Sequence, residues 1–306
     1  METISSIYGE MRSLGYVSAG YYDEPLAKHT TFRIGGPADV MVVPADARGL
    51  AGIISLCRET DTPCYLIGGG SNLLAPDEGV RGVVINTCGA LAEVSERGGM
   101  LVSGCGAKLS TLAKEAQRRA LSGLEFSYGI PGCVGGGIYM NAGAYGGEMK
   151  DVCAEVVALS VETGETVTLA GEELGFGYRR SAFSEGGLVV LEAAFRLYSA
   201  NPEEIGAVME KNMEARRAKQ PLELPSAGSA FKRPEGHFAG ALIDECGLRG
   251  LTVGGAQVST KHAGFVVNIG GATAADVRAL LEEVKERVLQ RTGVVLEPEI
   301  RLMQAL

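Results

Sequence analysis

Apolar and polar positions along this chain recur with two different spacings, and each change of spacing marks a predicted element. Ile4, Ile7, Met11 and Leu14 return every third or fourth residue, the spacing of one helix face. From about residue 39 to residue 103 short apolar runs take over. DVMVV, CYLI, GVVIN, LAEVS and GMLVSG read as strands, with a helix from about Asp46 to Arg58 after the first. Another helix is predicted over 109–120, and VCAEVVALSVE, ETVTLA and GLVVLEAAFRLY then read as antiparallel strands joined by glycine turns.

Near residue 200 the texture changes. Asn201 can cap a helix that begins at Pro202, carries Glu203 and Glu204 in its first turn, and stops at about Lys219, before Pro221. The turn PSAGS follows, then an amphipathic helix around HFAGALIDECG, the strand GFVVNI, and a helix capped by Thr273. In that last helix Val277, Leu280, Leu281, Val284 and Val288 share one face. Short strands mixed with single helices predict an α+β chain, with a boundary near 199 and a compact α/β domain behind it.

Two glycine clusters interrupt this pattern. FSYGIPGCVGGGIYMNAGAYGG, from Phe126 to Gly147, holds eight glycines and no charge in twenty-two residues. Its glycines, Pro131 and Asn141 make a poor bilayer helix, which leaves two readings. One is a cradle whose bare N–H groups meet the oxygens of a phosphate-bearing cofactor; the other is a string of tight turns. The second cluster, CYLIGGGSNLL at 64–74, shifts the reading toward the cradle, because a strand runs straight into Gly68, Gly69, Gly70, Ser71 and Asn72. Neither G-x-x-x-x-G-K-[ST] nor a helix-opening G-x-G-x-x-G occurs, so neither a P-loop nor a Rossmann crevice is expected.

Composition narrows the class. Glycine at 44 of 306 residues is about twice the usual share and suits many close backbone approaches. The first twenty residues include Glu2, Glu10 and Arg12 and lack the apolar core of a secretory signal. Seven cysteines without a C-x-x-C pair predict reduced thiols in a cytoplasm rather than disulfides or a zinc site. A net charge of −9 argues against nucleic acid. Yet 211–233 carries six basic residues against Glu214 and Glu223, which suits a small anionic ligand; for Lys211 and Arg216 a solvated helix face is the preferred reading. His29, His237 and His262 have no metal-ligand spacing and read as structural, so no metal is expected.

Three polar residues stand in unusual settings: Arg179 in YRRSAF, Ser229 in PSAGSAFKRP, and Glu299 in LEPEIRL, on a terminal strand whose other face is Leu296, Ile300 and Leu302. By spacing alone the plainer readings are favoured, with Arg179 and Glu299 in surface ion pairs and Ser229 as a turn hydroxyl.

Seven ordered blocks change that weighting. TFRIGGPAD, GGGSNLL, IPGCVGGGIYMNAGAYGGE, YRRSAF, RRAKQPLELPSAGSAFKRP, VSTKHAGFVVN and LEPEIRL, spread over nearly the whole chain, together resemble the MurB family of UDP-N-acetylenolpyruvoylglucosamine reductases. The resemblance implies non-covalent FAD in a two-part region of the vanillyl-alcohol-oxidase (PCMH) type, 1–86 and 87–198. A substrate-binding domain, 199–306, would follow, its last strand returning to the FAD site. It implies a cytoplasmic monomer in which NADPH is the reductant and UDP-N-acetylglucosamine enolpyruvate becomes UDP-N-acetylmuramate for peptidoglycan.

Carried over residue by residue, Arg179, Ser229 and Glu299 would be catalytic. Lys219, before the Gln-Pro pair, would lie near the substrate diphosphate, with Arg233 and Lys261 as further substrate contacts. FAD contacts would fall on Arg33, Ile67, Gly68, Gly69, Gly70, Ser71 and Asn72, and on Pro131, Gly132, Gly135, Gly136, Asn141, Ala144 and Gly146. Length and Arg233 match the shorter subtype, while Cys133 stands where Ser or Thr is expected and Arg180 where Asn or Asp is usual. In the implied chemistry a hydride from reduced FAD reaches C3 of the enolpyruvyl group and Ser229 protonates C2. Arg179 would hold the carboxylate and Glu299, protonated when it acts, would stabilise the enol. Other readings are an oxidase or dehydrogenase on the same FAD fold, and a nucleotide-sugar binding protein without redox function.

Overall fold

In the computed structural model, which describes residues 2–306, three larger β-sheets carry the architecture. The first sets three parallel strands, Pro37–Pro44, Val80–Asn86 and Cys64–Ile67, beside an antiparallel edge strand, Val17–Pro25. Val40, Val42, Val83 and Ile85 pack with Leu50, Ile53 and Ile54 of the helix Ala47–Glu59 and with Ile7 and Met11 of the helix Glu2–Ser13. Asp46 caps the second of these helices by accepting the Gly49 N–H at 2.7 Å. The edge strand is absent from the sequence reading because VSAGYYDEP lacks alternation, and Tyr21 and Tyr22 are both exposed; pairing with its neighbour makes it a strand.

The second sheet is wholly antiparallel, in the order Thr166–Ala170, Cys153–Ser160, Leu188–Phe195, Met100–Gly104, Val94–Arg97. Its core takes in the helix Leu109–Arg118 and a second helix, Val134–Tyr139, that lies inside the long glycine segment. That helix was not expected, since VGGGIY has poor propensity. Val134 and Ile138 are both fully buried, and their packing outweighs the cost of the glycines.

The third sheet orders Ser226–Ser229, Phe265–Asn268, Ala256–Val258 and Thr252–Val253, all antiparallel. PSAGS is therefore a strand and not the turn read from its small residues; pairing with Phe265–Asn268, with a bulge between Ser226 and Ser229, overrides the local composition. The helix Ala274–Thr292 covers this sheet, begins with a Thr273–Asp276 capping box, and buries all five apolar residues predicted for its face. Phe32, Ile34 and Leu74 join the same core from far earlier in the chain. Thr31 Oγ1 donates to the Ser226 carbonyl at 2.7 Å and Asn268 Nδ2 to the Phe32 carbonyl at 3.1 Å, so the loop around Arg33 clamps the third sheet. Among the described residues no helix is long and apolar enough to cross a membrane.

Candidate active site

The two glycine clusters meet backbone to backbone. A Cβ on Gly69 would lie 2.9 Å from the Gly132 Cα, and Ser71 Oγ donates to the Pro131 carbonyl at 2.9 Å. Gly70 has φ +58° and a Cβ there would fall 2.0 Å from the His29 carbonyl oxygen; Gly132 has φ +116° with Ser71 Oγ in the way. Only glycine satisfies both the dihedral and the space at these two positions. Gly136 and Gly146 instead open on space with no protein atom within 4 Å of a would-be Cβ. Touching main chains beside open backbone fit an anionic, flat cofactor, because they leave room for it and present N–H groups rather than side chains.

Not every residue expected at the cofactor is free to meet one. Ile67 is buried and its carbonyl accepts from the Thr87 N–H at 2.9 Å, while the Gly135 N–H donates to the Cys105 carbonyl at 2.8 Å. Asn141, fully buried, donates to Glu148 Oε2 at 2.8 Å and the Gly177 carbonyl at 3.0 Å, and accepts from the Lys150 N–H. Its side chain is thus engaged by protein and steadies the Gly177 turn. Arg33 is exposed with φ +56°, and Ala144 and Gly146 belong to the hairpin Gly143–Ala144 to Gly147–Glu148.

The three catalytic candidates converge next to this crevice. Gly177 and Arg180 close a tight turn through reciprocal backbone bonds of 3.0 and 3.3 Å, with Tyr178 and Arg179 at its tip. Arg179 has φ +55°, a left-handed conformation that costs a long side chain roughly 1–2 kcal/mol and that its surroundings must hold. Its Nε donates to Glu299 Oε1 at 2.5 Å. Side-chain exposures of 21% and 10% rule out the surface ion pair of the plainer reading. Burial pushes the Glu299 carboxyl above its ordinary value, while the Arg179 guanidinium and, less strongly, Lys232 pull the other way.

Ser229 closes its strand opposite Phe265; the next carbonyl, that of Ala230, accepts the Glu299 N–H at 2.9 Å, and Phe231 pairs with Pro298. Hydroxyl and carboxyl therefore ride on adjacent backbone segments. Asn72 ties them to the first glycine cluster, with Nδ2 donating to the Glu299 carbonyl at 3.1 Å and its own carbonyl accepting the Arg301 N–H at 3.0 Å. The terminal strand is only Arg301–Leu302, parallel to Leu73–Leu74, so Glu299 precedes it rather than lying on it. Leu302 is 52% exposed and does not share the buried face of Leu296 and Ile300, because a two-residue strand at an edge covers only one side.

The basic candidates are spread over several elements. Lys219 is exposed at the end of the helix Pro202–Lys219, and Lys261 Nζ donates to the Arg217 carbonyl there at 2.9 Å. Arg233 stacks on the Phe238 ring with 4.6 Å to its centroid and donates its N–H to the Tyr178 hydroxyl at 3.0 Å. Tyr178, which opens the YRRSAF block but was given no role there, thus links the Arg179 turn to the third sheet. The solvated-face reading holds for Lys211, which is exposed, but fails for Arg216. That guanidinium packs against Gly129 near Tyr145, and burial lowers its pKa. Nothing in the linear pattern separates the two residues, since only the approach of the glycine segment buries one of them. His29 bonds Glu24 and Asn86, and His262 accepts the Gly264 N–H, both structural roles.

Comparisons with known proteins agree with this architecture. Residues 220–303 match the C-terminal domain family of UDP-N-acetylenolpyruvoylglucosamine reductase, and residues 38–170 match the FAD binding domain family. A UDP-N-acetylenolpyruvoylglucosamine reductase of Lachnoclostridium phytofermentans is 48% identical over 285 residues, covering 92% of each chain. One from Agathobacter rectalis is 46% identical over 312 residues and 98% of each chain. The crystal structure of UDP-N-acetylenolpyruvylglucosamine reductase (MurB) from Thermus caldophilus superimposes with a TM-score of 0.78 at 38% identity, over 93% of this chain and 98% of that one.

Proposed function

The chain belongs to the UDP-N-acetylenolpyruvoylglucosamine reductase family, and on that premise we propose that it reduces the enolpyruvyl group of UDP-N-acetylglucosamine enolpyruvate to give UDP-N-acetylmuramate for peptidoglycan. When bound, FAD supplies the hydride for C3 of the substrate and is recharged by NADPH. Open backbone at Gly136 and Gly146, beside the touching Gly69 and Gly132 main chains, would hold it, with Ser71 and Pro131 fixing the two loops against each other.

The chain's own residues manage the charge. Addition at C3 leaves negative charge at C2 and on the adjoining carboxylate, and Arg179 is placed to bind that carboxylate bidentately. In doing so it is drawn from Glu299, which then loses the main group opposing its burial and takes up a proton. The neutral Glu299 donates to the developing enolate, and the Ser229 hydroxyl gives C2 its proton and is reprotonated from solvent. Lys219 would lie near the substrate diphosphate, with Arg233 and Lys261 as further substrate contacts. The enzyme is taken to be a cytoplasmic monomer.

The observation that carries this reading is the buried Arg179–Glu299 contact, bonded through the Ala230 carbonyl to the Ser229 strand and through Asn72 to the glycine cluster. Purified protein is expected to be yellow, to bleach anaerobically with NADPH, and to regain its colour on adding the enolpyruvyl sugar nucleotide. A colourless protein that never takes up FAD, or a bleached one that the sugar nucleotide leaves unchanged, sinks the proposal.

A further inference from the structure

The segment that carries Glu299 also carries a second carboxylate, and a lysine that this chemistry does not use faces both. Phe231 pairs with Pro298 in antiparallel sense, with the Lys232 N–H donating to the Glu297 carbonyl at 2.8 Å and the Glu299 N–H to the Ala230 carbonyl at 2.9 Å. This register sets Lys232 opposite Glu297 and Ala230 opposite Glu299. Opposed residues of such a pair share a face, and the next residue along that face lies diagonally across, roughly 7–8 Å away and within reach of a long side chain. Lys232, Glu297 and Glu299 therefore share one face, while Phe231, Leu296 and Ile300 belong to the core of the third sheet. On the shared face Lys232 Nζ donates to Glu297 Oε1. Side-chain exposure falls from 67% at Glu297 through 26% at Lys232 to 10% at Glu299, so the lysine bridges solvent and the buried carboxyl.

We propose that Glu297 is a positioning residue: by tying down the Lys232 ammonium it keeps that cation off Glu299, and so lets Glu299 take up the proton it presents to the enolate. The inference rests on the reading that Glu299 acts in its neutral form. Two cations face Glu299 in the resting site, Arg179 from the tight turn and Lys232 from the neighbouring segment, and both oppose the effect of burial, Arg179 more strongly. The other charged groups close by are turned elsewhere. Arg301 lies 5.9 Å from the Tyr139 ring centroid and Arg233 stacks on Phe238, while the neutral Asn72 meets this segment through its backbone.

When Arg179 moves to the substrate carboxylate, Lys232 is the cation still facing Glu299. A free ammonium would swing to the buried carboxylate and hold it ionised, because attraction strengthens where water is excluded. Glu297 offers a competing carboxylate at the solvent end, and the lysine stays with it.

The test follows recolouring of the reduced, FAD-loaded protein by the enolpyruvyl sugar nucleotide across the pH range, each rate taken relative to NADPH bleaching of the same sample. On the falling limb of the wild-type profile Lys232→Gln should recolour roughly three- to tenfold faster, since loss of the cation lets Glu299 keep its proton to higher pH. Glu297→Gln should recolour more slowly by a similar factor, and Glu297→Asp should restore most of the rate. Adding Glu297→Gln to Lys232→Gln should change nothing further, because its route to Glu299 is gone. The Glu299 carboxyl resonance, identified in glutamate-labelled protein by its loss in Glu299→Gln, gives the same comparison without turnover: its titration should move up in Lys232→Gln and down in Glu297→Gln. A limb that Lys232→Gln leaves in place, or a Glu297→Gln effect that survives in the Lys232→Gln background, overturns the proposal and leaves a protonated Glu299 standing. A wild-type profile without a falling limb overturns both.

Discussion

The glycine crevice and the helix Ala274–Thr292 are built on opposite principles. In the helix, side chains do the packing: Val277, Leu280, Leu281, Val284 and Val288 are buried against the third sheet, each contributing roughly 1.5–3 kcal/mol, and the backbone follows an ideal path between a Thr273 cap and Gly293. At the crevice side chains are missing, and left-handed dihedrals at Gly70 and Gly132 let two main chains touch. One region tolerates a change of side-chain shape at a graded cost, whereas the other has no slack at all. Binding chemistry sits in the second, since a cofactor needs fixed N–H groups and an empty space that packing would fill.

The largest expected effect breaks the crevice itself. Gly70→Ala places a methyl 2.0 Å from the His29 carbonyl in a left-handed backbone and should cost about 3–5 kcal/mol together with most of the bound flavin. Denaturant melts and the ratio of flavin to protein absorbance check it, and a yellow variant of ordinary stability would show that the loops can relax. Leu280→Ala sharpens the contrast from the other side. A loss of about 3 kcal/mol is expected there, with the flavin content of the folded fraction unchanged.

Ser229→Ala should slow recolouring by the sugar nucleotide roughly 10²-fold, equivalent to about 2.7 kcal/mol, while NADPH bleaching stays near its original rate. Rapid-mixing absorbance separates the two halves, and equal slowing of both removes Ser229 from proton delivery. The smallest expected effect concerns Glu299, whose pKa is raised above 4.5 by burial. An acid shifted upward binds its proton more tightly when folded, so its contribution to stability is greatest at low pH and declines as pH rises from 4.5 through the raised value. The recolouring step should likewise fall at most tenfold per pH unit above that value, and Glu299→Gln should flatten the slope; a wild-type profile flat from pH 5 to 9 would exclude a protonated Glu299.

Legibility followed the same divide. The helices at Ala47–Glu59, Pro202–Lys219 and Ala274–Thr292 were legible from local signals: the Asn201 cap with Pro202 and its acidic first turn, and the Thr273 cap with its apolar face, while the Asp46 cap of the first came to light only in the structure. The strand Val17–Pro25, the strand at PSAGS and the helix Val134–Tyr139 were not, because each exists through neighbours distant in sequence. Arg179, Ser229 and Glu299 stood out as residue types, but their spacing allowed the plainer readings as readily, and the ordered blocks were needed to set those aside. Arg216 and Tyr178 open two of the ordered blocks, yet nothing local revealed their roles, since their partners arrive from other elements.

By itself the sequence determined where glycine replaces side chains, which helix faces are apolar, and which few polar groups lack an obvious structural use; these are properties of single residues and their near neighbours. The tertiary structure alone decided that the two glycine clusters touch and that Glu299 meets Arg179 in a buried place. Contacts between residues far apart in the chain depend on how three sheets settle against one another, and no short-range pattern encodes that settlement.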